Sequence, residues 1–133
     1  RNCISIDGAS DGIITTSYAK RIEANSVLSA GGTGQGIVIN GSVGVLGEVV
    51  NNLVEGFSGS GGIGIDINSA INLYGHNAVY NCATAYSVTG DVDQDLGDNE
   101  TLGASPFEKS GSDTFSNRGA YFAPADTGNV RAA

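Results

Sequence analysis

The chain has 133 residues, 21 of them Gly and only 2 Pro, and its 14 acidic against 6 basic side chains give a formal net charge of -8. A length of this order holds one domain with a core of its own. The negative balance excludes the basic footprint of a nucleic-acid binder and makes an anionic membrane surface a poor partner, while apolar runs of only a handful of residues, such as Gly36-Ile37-Val38-Ile39, are too short to span a bilayer.

The first predicted strand lies in the opening RNCISI, where polar and apolar residues alternate. Gly12-Ile13-Ile14 follows as a second short strand. Residues 17–28 come nearest to a helical period, but too irregularly to predict a helix. Further on, residues 37–39, 43–46 and 49–54 read as short β-type runs, and 65–67, 71–74 and 78–83 repeat the series. The Gly-rich stretches 31–36 and 59–62 lack the Lys-Ser/Thr of a phosphate loop and precede strands, so they read as turns.

Two anchors recur along this series. Asn2-Cys3-Ile4, Asn25-Ser26-Val27, Asn52-Leu53-Val54 and Asn81-Cys82-Ala83 are spaced by 23, 27 and 29 residues. Gly12, Gly36 and Gly64, each followed by alternating Ile/Val, are spaced by 24 and 28. Units of this size, built of short strands and Gly/Asn turns, bury no apolar face alone and must stack. The expected fold is all-β: a right-handed parallel β-helix of about three to four coils over residues 1–90, with Ile4, Val27, Val54 and Ala83 equivalent and an Asn ladder of Asn25, Asn52 and Asn81. A β-sandwich with coincidental spacing is the competing architecture.

The segment GIVINGSVGVLGEVVNNLVEGFSGSGGIGIDINSAINLYGHNAVYNCATAY resembles the right-handed β-helix repeats of secreted pectate-lyase-like proteins. The end of the chain, LGASPFEKSGSDTFSNRGAYFAPADTGNVRAA, is similar to the C-terminal ends of planctomycete and environmental β-helix proteins. The resemblance implies a secreted protein and a longer relative whose N-terminal coils have no counterpart here. A start at Arg1 suggests a processed or trimmed chain. Residues 91–133 read as an acidic link, Asp91 to Glu100, followed by an extended tail whose Phe107, Phe115, Tyr121 and Phe122 are expected to lie along the coils.

Candidate chemistry is sparse. Asp91, Asp93 and Asp95 alternate as in a calcium loop, but Gly97 falls one place late and no Glu closes the loop, so a solvated acidic link is the simpler reading. His76 has no Cys or His companion at metal spacing and reads as a turn residue. Glu48, Glu55 and Asp66 are the only carboxylates on the coils that could serve glycoside hydrolysis, and they do not cluster; Lys20 and Arg21, the only basic pair there, have no acidic cluster beside them as lyase chemistry requires. No catalytic residue, metal or cofactor is therefore assigned. Asn40-Gly41-Ser42 and Asn99-Glu100-Thr101 match the N-glycosylation pattern.

The expected function is that of a non-enzymatic subunit of an extracellular fibre, self-assembling head to tail as the coils of one copy continue those of the next. The expected interface is Asn2, Cys3 and Ile4 of one copy on Asn81, Cys82 and Ala83 of another. Cys3 and Cys82 would lie three coils apart within a chain, roughly 14 Å, too far for a disulfide, and one coil apart between chains. The alternative is a carbohydrate-binding or carbohydrate-processing module of a secreted or phage-type surface protein, with Tyr74, Tyr80 and Tyr86 as sugar-stacking residues and glycans as partners.

Overall fold

The computed structural model describes residues 4–7, 10–16, 21–41 and 47–106. Their regular structure consists of β1 (Ile4–Asp7), β2 (Ile13–Thr15), β3 (Arg21–Glu23), β4 (Ser26–Ser29), β5 (Gln35–Ile39), β6 (Glu48–Val50), β7 (Leu53–Glu55), β8 (Ile63–Ile67), β9 (Ile71–Gly75), β10 (Ala78–Tyr80), β11 (Thr84–Val88), β12 (Val92–Gly97) and β13 (Glu100–Thr101). No described residue is helical. The chain visits three sheets in rotation: β1-β4-β7-β10-β13 form the first, β2-β5-β8-β11 the second and β3-β6-β9-β12 the third. Every pairing is parallel. The fold is a parallel β-helix, as the repeat implied.

Stacking in register lines like residues into columns, and alternation along each strand sends every second column inward. Val27, Val54 and Val79 form one such column, fully buried. Ile37 and Ile65 form a second, Ile39 and Ile67 a third, and Ile22, Val49 and Tyr74 a fourth. Together with Phe57 and Ile71 they make one continuous core. The column Gly12, Gly36, Gly64 explains the second sequence anchor. A Cβ at Gly36 would run into the Val54 side chain and the Gly64 carbonyl, and one at Gly64 into Val79 and the Ala85 carbonyl, so the Val column is packed against bare backbone.

Several boundaries differ from the sequence reading. Residues 49–54 are not one run but two strands divided at Asn51, whose φ of 57° turns the chain out of the sheet. The helix-like count over 17–28 gives way to β3 and β4, because Ile22, Val27 and Leu28 are held by neighbouring strands and not by a helical face; residues 17–20 lie outside the described residues. Ile4 pairs with Ser26, so Ser5, not Ile4, stands beside Val27. Val79 and then Thr101, not Ala83, continue the Val27-Val54 column, and Ala83 is exposed beyond β10. The acidic link does not end the coils at residue 90: β12 pairs with β9 along Val92–Gly97, and β13 pairs with β10. The segment 43–46 and the tail from residue 107 onward lie outside the described residues.

Candidate functional site

Where the third sheet turns into the first, each pass makes the same two-residue corner. Ala24, Asn51, His76 and Asp98 have φ of 53°, 57°, 54° and 53°, and each precedes an Asn: Asn25, Asn52, Asn77 and Asn99. A left-handed residue bends the chain by about a right angle but strips the next backbone groups of sheet partners. The Asn carboxamides supply them. Asn52 Oδ1 accepts from Asn25 N at 3.1 Å and Asn25 Nδ2 at 2.8 Å, Asn77 Oδ1 accepts from Asn52 N and Nδ2 at 3.0 Å each, and Asn99 Oδ1 accepts from Asn77 N at 3.2 Å and Nδ2 at 2.9 Å. The second amide proton of each turns back one pass, Asn52 Nδ2 to Ile22 O and Asn77 Nδ2 to Val49 O. Asn25 is 3 %, Asn52 2 % and Asn77 1 % exposed, so this is a buried ladder.

Asn25 and Asn52 belong to the ladder as expected, whereas Asn81 does not. Four residues beyond Asn77, Asn81 is exposed at a different corner, with φ of 50° where the pass below has Gly56 at 91°. Asn99, read as a glycosylation candidate, instead holds the last described rung, while Asn40 is exposed on the outer surface and accepts from Asn68 Nδ2 at 2.9 Å.

The candidate carboxylates stand on three different sheets: Glu48 on β6, Glu55 on β7 and Asp66 on β8. Glu48 faces outward and pairs with Arg21 Nε at 2.8 Å, while Arg21 Nη2 reaches Glu23 at 2.9 Å. Asp66, 4 % exposed, accepts from Gln35 Nε2 at 2.9 Å and Asn68 Nδ2 at 2.8 Å. Glu55, 1 % exposed, accepts from Ser105 Oγ at 2.7 Å. Each acid has its own partner, and the three stand on different sheets. Lys20 lies outside the described residues.

Burial pushes the Glu55 carboxyl above its ordinary 4.5, and the Ser105 hydrogen bond offsets this only in part. The folded chain thus holds this proton more tightly than the unfolded chain does. The protonated acid's contribution is complete below 4.5 and is lost as pH rises through the folded value. Glu55→Gln keeps an acceptor for Ser105 and removes the charge, so we expect urea midpoints to be higher than wild type at neutral pH and equal to it near pH 4. A variant less stable at neutral pH would show that the ionised form is the one the fold favours.

The remaining candidates are also placed. Asp91, Asp93 and Asp95 are exposed, the last accepting from Gly97 N at 2.8 Å, and no group of three or more His, Cys, Asp or Glu suited to a metal occurs among the described residues. His76 is an exposed corner residue whose Nδ1 lies 3.5 Å from Asp98 Oδ2. Of the aromatic residues, Tyr74 is a core residue, only 5 % exposed, and meets Tyr86 edge to face at 6.4 Å. The Tyr86 hydroxyl lies 2.7 Å from Glu100 O and 2.9 Å from Asn77 O. Burial, with the Asp95 carboxylate for Tyr74 and the Tyr74 phenol for Tyr86, pushes both phenols upward. Tyr74, Tyr80 and Tyr86 therefore form no exposed stacking strip, and Tyr80 is half-buried.

Of the expected interface, Asn2 and Cys3 lie outside the described residues. Ser26, Leu53, Ala78 and Glu100 share one column, so Cys82 is not in register with Leu53. It stands past the end of β10, half-buried, with Sγ 3.5 Å from Tyr80 O, and burial raises its thiol. Among the described residues the last strands of the three sheets are β13, β11 and β12, and Asn81, Cys82 and Ala83 belong to none of them. The signal that finds these residues is the continued Asn column, since Asn77-Ala78-Val79 and Asn99-Glu100-Thr101 repeat the Asn-x-β-branched triplet of Asn25-Ser26-Val27.

Among the described residues no helix is long and apolar enough to cross a membrane. Comparison with known protein families, with curated proteins and with solved structures finds no match to this chain.

Proposed function

We propose that the chain is a non-enzymatic structural subunit of an extracellular fibre, whose copies assemble head to tail by continuing the β-helix. The observation that carries this reading is the shared strand direction of the stack. Among the described residues the three sheets run in parallel from β1, β2 and β3 at one end to β13, β11 and β12 at the other, so a further pass of the same kind can continue each of them. Parallel strands of one register at both ends make a heterologous, non-closing contact, and such a contact generates filaments. The dispersal of Glu48, Glu55 and Asp66 over three sheets supports a non-enzymatic role. The extracellular setting rests on the resemblance to secreted pectate-lyase-like proteins.

A bond between Cys3 and Cys82 is not part of this proposal, because Cys82 lies off the column that the strands share. Backbone pairing and side-chain columns carry the contact instead. Electron microscopy and sedimentation of the purified chain test it: concentration-dependent rods of one-coil cross-section are expected, unchanged by reductant. Monodisperse particles at all concentrations overturn the reading, and glycan binding by such particles favours the carbohydrate module instead.

A further inference from the structure

The outer face of the first sheet carries an acid whose place in the strand points it to water and whose burial takes it away from water. Val54 fills the inward column, so Glu55 beside it turns outward, in a row with Leu28 on β4 and Tyr80 on β10. Leu28 and Glu55 are nonetheless each 1 % exposed. Against Glu55 lies the chain that leaves β13. Leu102 is buried and its N still donates to Val79 O at 2.8 Å, Gly103 and Ala104 are exposed, and Ser105 then reaches Glu55 Oε2 at 2.7 Å, with buried Pro106 after it. Because β7, β10 and β13 are successive strands of one sheet, residues 102–106 double back two strands from the last pass.

Among the described residues, the titratable groups that face this acid are the Tyr80 phenol in its row and the Cys82 thiol past β10, which feels the Glu55 charge; Leu28 on β4 and Ser105 bring none. Burial holds the thiol above its ordinary 9.0, so at neutral pH it is uncharged. The described bases are placed elsewhere: Arg21 pairs with Glu23 and Glu48, and His76 stands beside Asp98. An ionised Glu55 therefore meets a hydroxyl but no described cation, under a segment that keeps water from it. The Ser105 hydroxyl bonds a carboxylate more strongly than a neutral acid, yet burial is the larger influence on this group, so the covered state favours the protonated form. Lifting residues 102–106 lets water reach the charge. Their hold is thus complete below the ordinary 4.5 and weakens as pH rises through the higher value of the covered acid.

We propose that residues 102–106 are a pH-sensitive strap, seated on the first sheet while Glu55 is a neutral acid and released as it ionises, so that this acid sets how firmly the last pass is tied to the stack. The strap acts within one chain and needs no second copy. Amide hydrogen exchange, corrected for intrinsic rates, tests it at Leu102 N, with Leu53 N, which donates to Asn25 O at 2.8 Å, as the interior reference. Leu102 is expected to be less protected than Leu53, and its protection in the wild type to fall as pH rises from about 4 to about 8, by at most about tenfold per pH unit. Glu55→Gln keeps an acceptor for Ser105 without the charge and is expected to hold the acid-side protection over the whole range. Ser105→Ala is expected to lower Leu102 protection roughly two- to tenfold at about pH 4, the scale of one hydrogen bond. Equal protection of Leu102 and Leu53 would mean that residues 102–106 open only with the whole fold, and would overturn the strap. A pH-independent Leu102 in the wild type, or full protection in Ser105→Ala, overturns it as well. So does a pH dependence that survives in Glu55→Gln, which would belong to another acid. Circular dichroism confirms the β-fold of each variant; should Glu55→Gln not fold, the wild-type profile and Ser105→Ala decide.

Discussion

Asn52→Ala is expected to destabilise the fold by about 4 kcal/mol, as the loss of a satisfied buried amide takes hydrogen bonds from several polar groups. Asn52 is the centre of the ladder. Removing its side chain takes away the acceptor that Asn25 N and Asn25 Nδ2 share and the amide that donates to Ile22 O, all in the interior. Each such loss costs about 1–3 kcal/mol, reduced where water enters the cavity. The left-handed Asn51 beside it also needs the corner to be held from within. Asn81 supplies the control, since it is exposed and its φ of 50° suits Gly at least as well as Asn. Asn81→Gly is expected within about 0.5 kcal/mol of wild type. Urea unfolding of the two variants checks this, and equal losses would mean that the ladder contributes no more than any corner Asn.

The contrast between Asn52 and Asn81 also shows what could be read from the sequence. The Gly-Ile anchor was legible because it reports a steric fact that recurs in each pass: Gly12, Gly36 and Gly64 lie against Val27, Val54 and Val79, where no Cβ fits. The Asn anchor was legible only for Asn25 and Asn52, since the step between corners shortens from 27 to 25 to 22 residues while Asn81 offers a competing Asn four positions past Asn77. What separates the two is the neighbour two places on, Val79 against Ala83, and only the β-branched residue can fill the inward column. β12 was missed for a related reason. Asp93 and Asp95 interrupt the apolar pattern of Val92 and Leu96, and among the described residues β12 has one neighbouring strand, so it tolerates charge that an inner strand could not. The carboxylates Glu48, Glu55 and Asp66 stand on different sheets because successive strands of one pass go to different sheets. Glu55 meeting Ser105 fifty residues later was not legible, since no periodicity relates them.

Ile67→Asp carries the other large expected effect and tests the core columns themselves. Ile67 is 0 % exposed, held between Ile39 below and Val88 above in the second sheet. The substitution forfeits about 2–3 kcal/mol of apolar burial and adds the penalty of a carboxylate with no cation in its column, several kcal/mol more. Against a stability of about 5–15 kcal/mol for a typical domain, that sum is expected to unfold the chain at neutral pH. Because a neutral carboxylic acid is cheaper to bury than a carboxylate, Ile67→Asp is expected to recover part of its β-signal in circular dichroism below pH 4. Val88→Asp places the same side chain at the end of the same column, where Val88 is 41 % exposed, and is expected to cost less than about 1 kcal/mol. The ratio of the two effects measures how sharply water is excluded along a single column. Similar melting of both variants would mean that Ile67 does not face the interior, and the columns that end on Thr101, Tyr86, Val88 and Asp95 would have to be reassigned with it.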